Sequence, residues 1–346
     1  MFAAKLIQMP LKASISVPVQ VFMTRASPKQ LQLKSTFRVF IQTQRYASQS
    51  RLGARRAAER TKTKSLKEMA QEPASGSAII GGRGLLAGAS AVGIGALCYY
   101  GLGMSNEVGA LEKAAIWPQY VRDRLRSTYL YFGAGLGMTA LSAVAIARSP
   151  AIMARMMSNS WLAIGATFAA VIGSGILCRS IPYTEGFGAK HLAWMLHSGI
   201  VGAVIAPLTF LGGPILVKAA WYTAGVVGGL SMVAACAPSD KFLYMGGPLA
   251  MGLGVVFIAS LGGMFFPPTT ALGSGLYAIS VYGGVVLFGG FLLYDTQHIV
   301  RKAETHPVVA GYPFDPINAA MGIYMDTINI FIRIAMILSG SGRKRK

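Results

Sequence analysis

Apolar residues along this chain gather into long uninterrupted runs and do not alternate with polar ones. Stretches 85–104, 128–147, 161–178, 219–237, 242–266 and 272–294 carry no charged side chain. Two further runs hold isolated polar groups: 192–211 contains His197, and 317–338 contains Asp326 and Arg333. A helix needs roughly 20 apolar residues to cross about 30 Å of hydrocarbon. A helix also satisfies its own backbone hydrogen bonds where no water can. The pattern therefore predicts eight membrane-spanning α-helices, and no stretch between them is long enough for a separate soluble domain.

Composition agrees with this reading. The 346 residues are 53% hydrophobic and only 13% charged, more apolar surface than a globule of this size hides from water. Small residues recur at four-residue spacing, as at Gly84 and Gly88, which lets helix backbones approach closely in lipid. Pro207, Pro214 and Pro248 fall within or beside spans, where neighbouring helices satisfy the freed carbonyls.

The formal charge of +20 would suggest nucleic acid if it covered a folded surface, but its distribution removes that class. Residues 1–58 hold ten Lys or Arg and no acid, and all twelve acids lie from Glu59 onward. This basic, acid-free, Ser- and Gln-rich start has short apolar patches such as Phe37–Ile41, the composition of a mitochondrial transit peptide. It lacks the single apolar core of about 7–15 residues that a secretory signal needs. Arg45-Tyr46-Ala47-Ser48 reads as a processing site, so cleavage near residue 46 is expected, leaving 25 bases against 12 acids, a net of +13.

The expected organisation is a transit peptide over 1–46, a disordered basic tail over 47–78, and an added transmembrane helix over 79–104. A charged intermembrane-space loop follows over 105–127, then a seven-helix core over 128–340 and a basic tail over 341–346. Eight spans return both ends to one side, and the positive-inside rule assigns that side to the matrix of a mitochondrial inner membrane. Arg122, Arg124 and Arg126 then lie on the opposite face.

Charged groups inside a span cost on the order of 2.5–3.5 kcal/mol or more, and so they pair or line a pathway. Asp295 closes the run 272–294, and Asp326 lies about nine residues, roughly 13 Å of helix rise, into the last one. Their helices are consecutive and hence antiparallel, so the carboxyls are expected to face each other. Two carboxylates close together in low dielectric do not both ionise cheaply, so they titrate as a unit. Ionised, they offer hard oxygen ligands suited to Ca²⁺, with Thr296 and Asn329 as further oxygens in a shell sparse enough to release its ion. Asp326, Asn329 and Arg333 share one helix face. Arg333 is placed to neutralise an aspartate, which leaves a purely structural role for these groups open.

Cys98, Cys178 and Cys236 stand far apart in apolar stretches and read as small buried hydrophobes. Gly273-Ser274-Gly275 has no partner His fixed by spacing. His191 and His197 form no HExxH, and His298 and His306 flank the loop beside Asp295. No cofactor is expected, and the chain does not read as an enzyme.

Leu293-Tyr294-Asp295-Thr296-Gln297 and the segment Ile323-Tyr324-Met325-Asp326-Thr327-Ile328-Asn329-Ile330-Phe331 resemble the two C-terminal signatures of the transmembrane Bax inhibitor motif family. The likeness covers about residues 120–340. With the presequence and the extra first span, the chain is similar to that family's mitochondrial branch. The resemblance implies a seven-helix Bax-inhibitor-like bundle, plus the extra N-terminal helix. It also implies that Asp295 and Asp326 form a pH-sensing gate for calcium leak or calcium/proton exchange. It further implies an acid in the second core helix and an Arg near its end. Run 161–178 has no acid and Arg179 is the nearby base, so protons couple here differently from relatives. Restraint of apoptosis, cristae organisation, retention of cytochrome c and inner-membrane protein partners are implied by resemblance alone. Two functions follow: a proton-coupled calcium transporter, or a structural scaffold of cristae or respiratory complexes whose aspartates serve helix packing.

Overall fold

The computed structural model describes residues 77–96, 99, 116–157, 160–237, 241–307 and 313–342. Helices in chain order are α1 (Ser77–Ala96), α2 (Gln119–Ala147), α3 (Pro150–Met156), α4 (Trp161–Ser180) and α5 (Ala189–Ile205). They continue as α6 (Gly213–Cys236), α7 (Gly246–Phe265), α8 (Ala271–Thr305) and α9 (Pro316–Gly342). No strand occurs among the described residues. Seven of these helices, α2 and α4 to α9, are long and apolar enough to cross a membrane, α5 doing so with the 3₁₀ turn Ala206–Leu211 that extends it. The protein is an all-α membrane bundle.

α8 and α9 form the centre, with α9 packed on α8, α2 and α6. Leu292 of α8 and Ile323, Ile330 and Ala335 of α9 are fully buried there. Leu162 of α4, Trp221 of α6 and Met251 of α7 are exposed, as expected of surfaces solvated by lipid instead of water.

Three boundaries differ from the sequence reading. The span placed at 128–147 begins at Gln119, so Arg122, Arg124 and Arg126 belong to a helix and not to the loop 105–127. The physical reason is that charges at a helix end keep their heads out of lipid and use them locally. Arg124 donates to the carbonyls of Ala303 at 2.7 Å and His306 at 3.0 Å, satisfying carbonyls left over at the end of α8. It also lies over the rings of Tyr120 and Phe314. Secondly, Asp295 does not close its span, because α8 runs ten residues further to Thr305. Its last turns are amphipathic, with Ile299, Val300 and Ala303 buried. Thirdly, α1 starts at Ser77, inside the tail drawn over 47–78. Its apolar stretch Ser77–Val92 is shorter than a span. α1 packs on α8, with Arg83 Nε donating to the Tyr282 hydroxyl at 3.3 Å. The presequence, most of the tail, residues 105–115 and the basic end 343–346 lie outside the described residues.

α8 also contains a π-helical turn, Ile279–Gly283, which no sequence pattern announced. Such a turn leaves a carbonyl without its usual i+4 donor. Arg333 supplies a donor from α9, its Nε reaching the Ser280 carbonyl at 3.0 Å.

Candidate functional site

Asp295 stands ten residues before the end of α8 and Asp326 ten residues after the start of α9. At about 1.5 Å per residue each lies about 15 Å of helix rise from the same end of the bundle. Asp326 is 6% exposed and Asp295 is half-buried. The two carboxyls lie side by side, close enough to act on each other directly. An ionised carboxylate only accepts, so a hydrogen bond between them would need a proton on one.

A notch in α9 makes the approach possible. A Cβ on Gly322, one turn before Asp326, would collide with the Asp295 carboxyl oxygen and stand 2.8 Å from its Cγ. Only glycine leaves the second carboxyl room. Asp326 Oδ2 is buried with no hydrogen-bond partner. One buried acceptor of the pair is thus left unsatisfied. Losing the proton sets two negative charges against each other in a medium that screens them poorly, and a divalent cation between them relieves that repulsion. Among the described residues no three His, Cys, Asp or Glu side chains converge as a metal site. The remaining oxygens of any cation shell must come from neutral groups.

The supporting residues fall into different places. Arg333 does not meet either aspartate. Its NH1 donates to Asn329 O at 3.0 Å and Asn329 Oδ1 at 2.9 Å, its Nε to Ser280 O, and its guanidinium lies 4.5 Å from the Phe288 ring centroid. Gly284 is the counterpart of Gly322 here, since a Cβ on it would run into the Arg333 side chain. Asn329 is occupied by Arg333 and by Met325 O, to which its Nδ2 donates. Thr296, fully buried, turns to Ser231 and Tyr129. Arg179 is exposed at the end of α4, and with His298 it is a base whose charge reaches Asp295. In α4 the buried polar side chain is Ser174, which hydrogen-bonds His197 Nδ1 at 2.9 Å.

A charged cluster at the end of the bundle nearest the pair was not anticipated. Lys190, 1% exposed on the first turn of α5, pairs with Asp315 Oδ2 at 2.5 Å and donates to Ile181 O at 2.8 Å. Asp315 Oδ1 accepts from Asn318 N at 2.9 Å, capping α9. The loop 181–188 is clasped by Tyr131, Tyr183 and Phe187 around His191, with Tyr131 Oη 2.8 Å from His191 Nε2. Burial, and then the hydrogen bond to Tyr131, pushes the Tyr183 phenol up to about 12. The sequence signal was present: Lys190 and Asp315 each begin a span, but nothing in one dimension pairs them.

A bundle of seven apolar helices with a carboxyl pair inside it defines a polytopic membrane protein with a polar centre. Residues 121–343 match the Bax1-I family, described as Inhibitor of apoptosis-promoting Bax1. Over 331 residues, 94% of each chain, the sequence is 56% identical to the growth hormone-inducible transmembrane protein of Rattus norvegicus. It is 29% identical over 175 residues to Bax inhibitor 1 of Oryza sativa subsp. japonica, covering 50% of this chain and 66% of that one. It is 24% identical over 228 residues to Bax inhibitor 1 of Drosophila melanogaster, 66% of this chain and 86% of that one. The chain belongs to the Bax inhibitor family.

Proposed function

We propose that the protein is a proton-coupled calcium transporter of the mitochondrial inner membrane, with the Asp295–Asp326 pair as its pH sensor and ion site. The observation that supports this is the close packing of two carboxyls inside the bundle, Asp295 seated in the Gly322 notch one turn before the buried Asp326, where they can share a proton that Ca²⁺ can replace. With the proton present, α8 and α9 are drawn together and the pair takes no cation. Once it leaves, the two oxygen sets bind Ca²⁺ weakly, and reprotonation expels it. Flux in one direction is thereby tied to proton movement in the other.

The mitochondrial location rests on the basic, acid-free start of the chain. The inner membrane, matrix-facing termini and an eighth span contributed by α1 complete that reading. Restraint of apoptosis follows from the family's description, and roles in cristae organisation and cytochrome c retention belong to the same proposal.

Purified protein in liposomes tests it. Asp326→Asn keeps the shape of the side chain and removes its charge, so pH-dependent Ca²⁺ uptake is expected to vanish while the protein stays folded. Unchanged uptake removes the mechanism. A scaffold reading is favoured by the fit of Asp295 into the Gly322 notch, which packs the helices whether or not ions move. It is the reading that survives if wild type and Asp326→Asn are equally silent in flux and equally stable.

A further inference from the structure

One face of α9 carries a line of polar groups, begun by Asp315 just before the helix and broken by Gly322. Asp315, Asn318, Gly322, Asp326, Asn329 and Arg333 follow at steps of three, four, four, three and four, which keeps them on a single helix face. Asp315 and Arg333 are about 27 Å apart along the axis at helical rise, close to the hydrocarbon thickness of about 30 Å. The carboxyl pair lies between them. Near the middle and lower part this face meets α8, through Asp295 against Gly322 and the Ser280 carbonyl on Arg333. At the Asp315 end it meets α4 and α5, through Arg179 O, which accepts from Asn318 Nδ2, and Lys190 on Asp315.

What fills that end is a cation. The Lys190 ammonium sits among oxygens: Asp315 Oδ2 at 2.5 Å and Ile181 O at 2.8 Å. Asn318, three residues on from Asp315, has its Oδ1 buried with no hydrogen-bond partner. One carboxylate, one main-chain carbonyl and one amide oxygen are hard donors of the kind Ca²⁺ collects at about 2.3–2.6 Å. Lys190 is also a strongly hydrated charge on a flexible stem, so burying it at 1% exposure is costly unless its partners hold it. The same stem lets it leave. The nest is firm because the aromatic clasp on His191 fixes the loop that presents Ile181, and Asp315 is fixed by its bond from Asn318 N.

We propose that Asp315, Ile181 O and Asn318 Oδ1 form a second, mouth site for a divalent cation. The Lys190 ammonium closes it, and an arriving Ca²⁺ displaces that ammonium before moving along the α9 face. The site deepens the transport reading, since its position matters because Asp326, with Asp295 of α8 against it, lies below it on the same face. Its occupancy is nevertheless testable without any flux.

Lys190 of the wild-type chain in nanodiscs is acylated with a water-soluble amine-reactive ester, and its modification is quantified by mass spectrometry over a Ca²⁺ titration. Labelling of Lys190 is expected to rise severalfold with Ca²⁺, in Asp326→Asn as in wild type, while labelling of Lys218 stays level. Labelling that ignores Ca²⁺ overturns the mouth site. In parallel, Lys190→Met leaves the nest open, so Ca²⁺ is expected to raise its thermal midpoint well beyond the shift in wild type. Adding Asp315→Asn to that variant abolishes the gain and keeps a folded comparison if Lys190→Met alone is unstable. Equal Ca²⁺ shifts in wild type and Lys190→Met make the pair a strut and reject the proposal. Ca²⁺-dependent labelling together with Asp326-independent flux keeps the mouth site and rejects the deeper one.

Discussion

At the scale of single residues, the site depends on what is missing as much as on what is present. Gly322 gives Asp295 its place, so Gly322→Ala is expected to push the carboxyls apart. It should cost about 1–3 kcal/mol, the usual range for an overpacked core, and weaken the pH dependence of uptake. Gly137, with open space around its Cβ position, is the control: Gly137→Ala should change stability by less than about 1 kcal/mol and in the favourable direction. Thermal unfolding in detergent compares the two. The aspartates were legible in the sequence because an acid in an apolar run is expensive and therefore conspicuous. The notch was not, because a glycine in a chain rich in glycine carries no mark of the one carboxyl it admits. Arg333 was legible as an unusual charge but not by its partner: the sequence suggested an aspartate on its own helix face, whereas it serves a carbonyl that only the π turn of α8 exposes.

At the scale of helices, the spans could be read because twenty charge-free residues have few other uses, and the errors sit where charge begins. α2 extends nine residues beyond its apolar run because Arg124 finds the carbonyls of Ala303 and His306. Arg124→Ala should therefore loosen the connection between α8 and α9. A loss of about 1.5–3 kcal/mol is expected for each such charged hydrogen bond, together with faster proteolysis between residues 305 and 316. Unaltered cleavage would show that other contacts hold this connection. Arg333 performs the matching task lower down, joining α9 to the π turn. Arg333→Met keeps the apolar stem and removes the donors, so hydrogen exchange at Ser280 to Gly284 should accelerate while α2 and α5 remain protected. Neither tie was accessible from sequence, since each joins segments that only the assembled bundle makes neighbours.

At the scale of the whole molecule, a membrane bundle with a carboxyl pair inside it behaves as an exchanger only if ion and proton compete for the same oxygens. The sign follows from the proposal: Ca²⁺ would bind the ionised pair, so uptake is expected to rise as the loading side is made more alkaline and to fall as it is acidified. Family membership was readable from two short segments around Asp295 and Asp326, and the match over residues 121–343 extends it to the entire core. Proton release on Ca²⁺ binding, followed in weakly buffered detergent solution, tests the competition directly. Protons should appear in step with bound Ca²⁺ for the wild-type chain and be absent for Asp326→Asn. Wild-type protein that binds Ca²⁺ with no proton release, or release that persists in Asp326→Asn, would contradict the account.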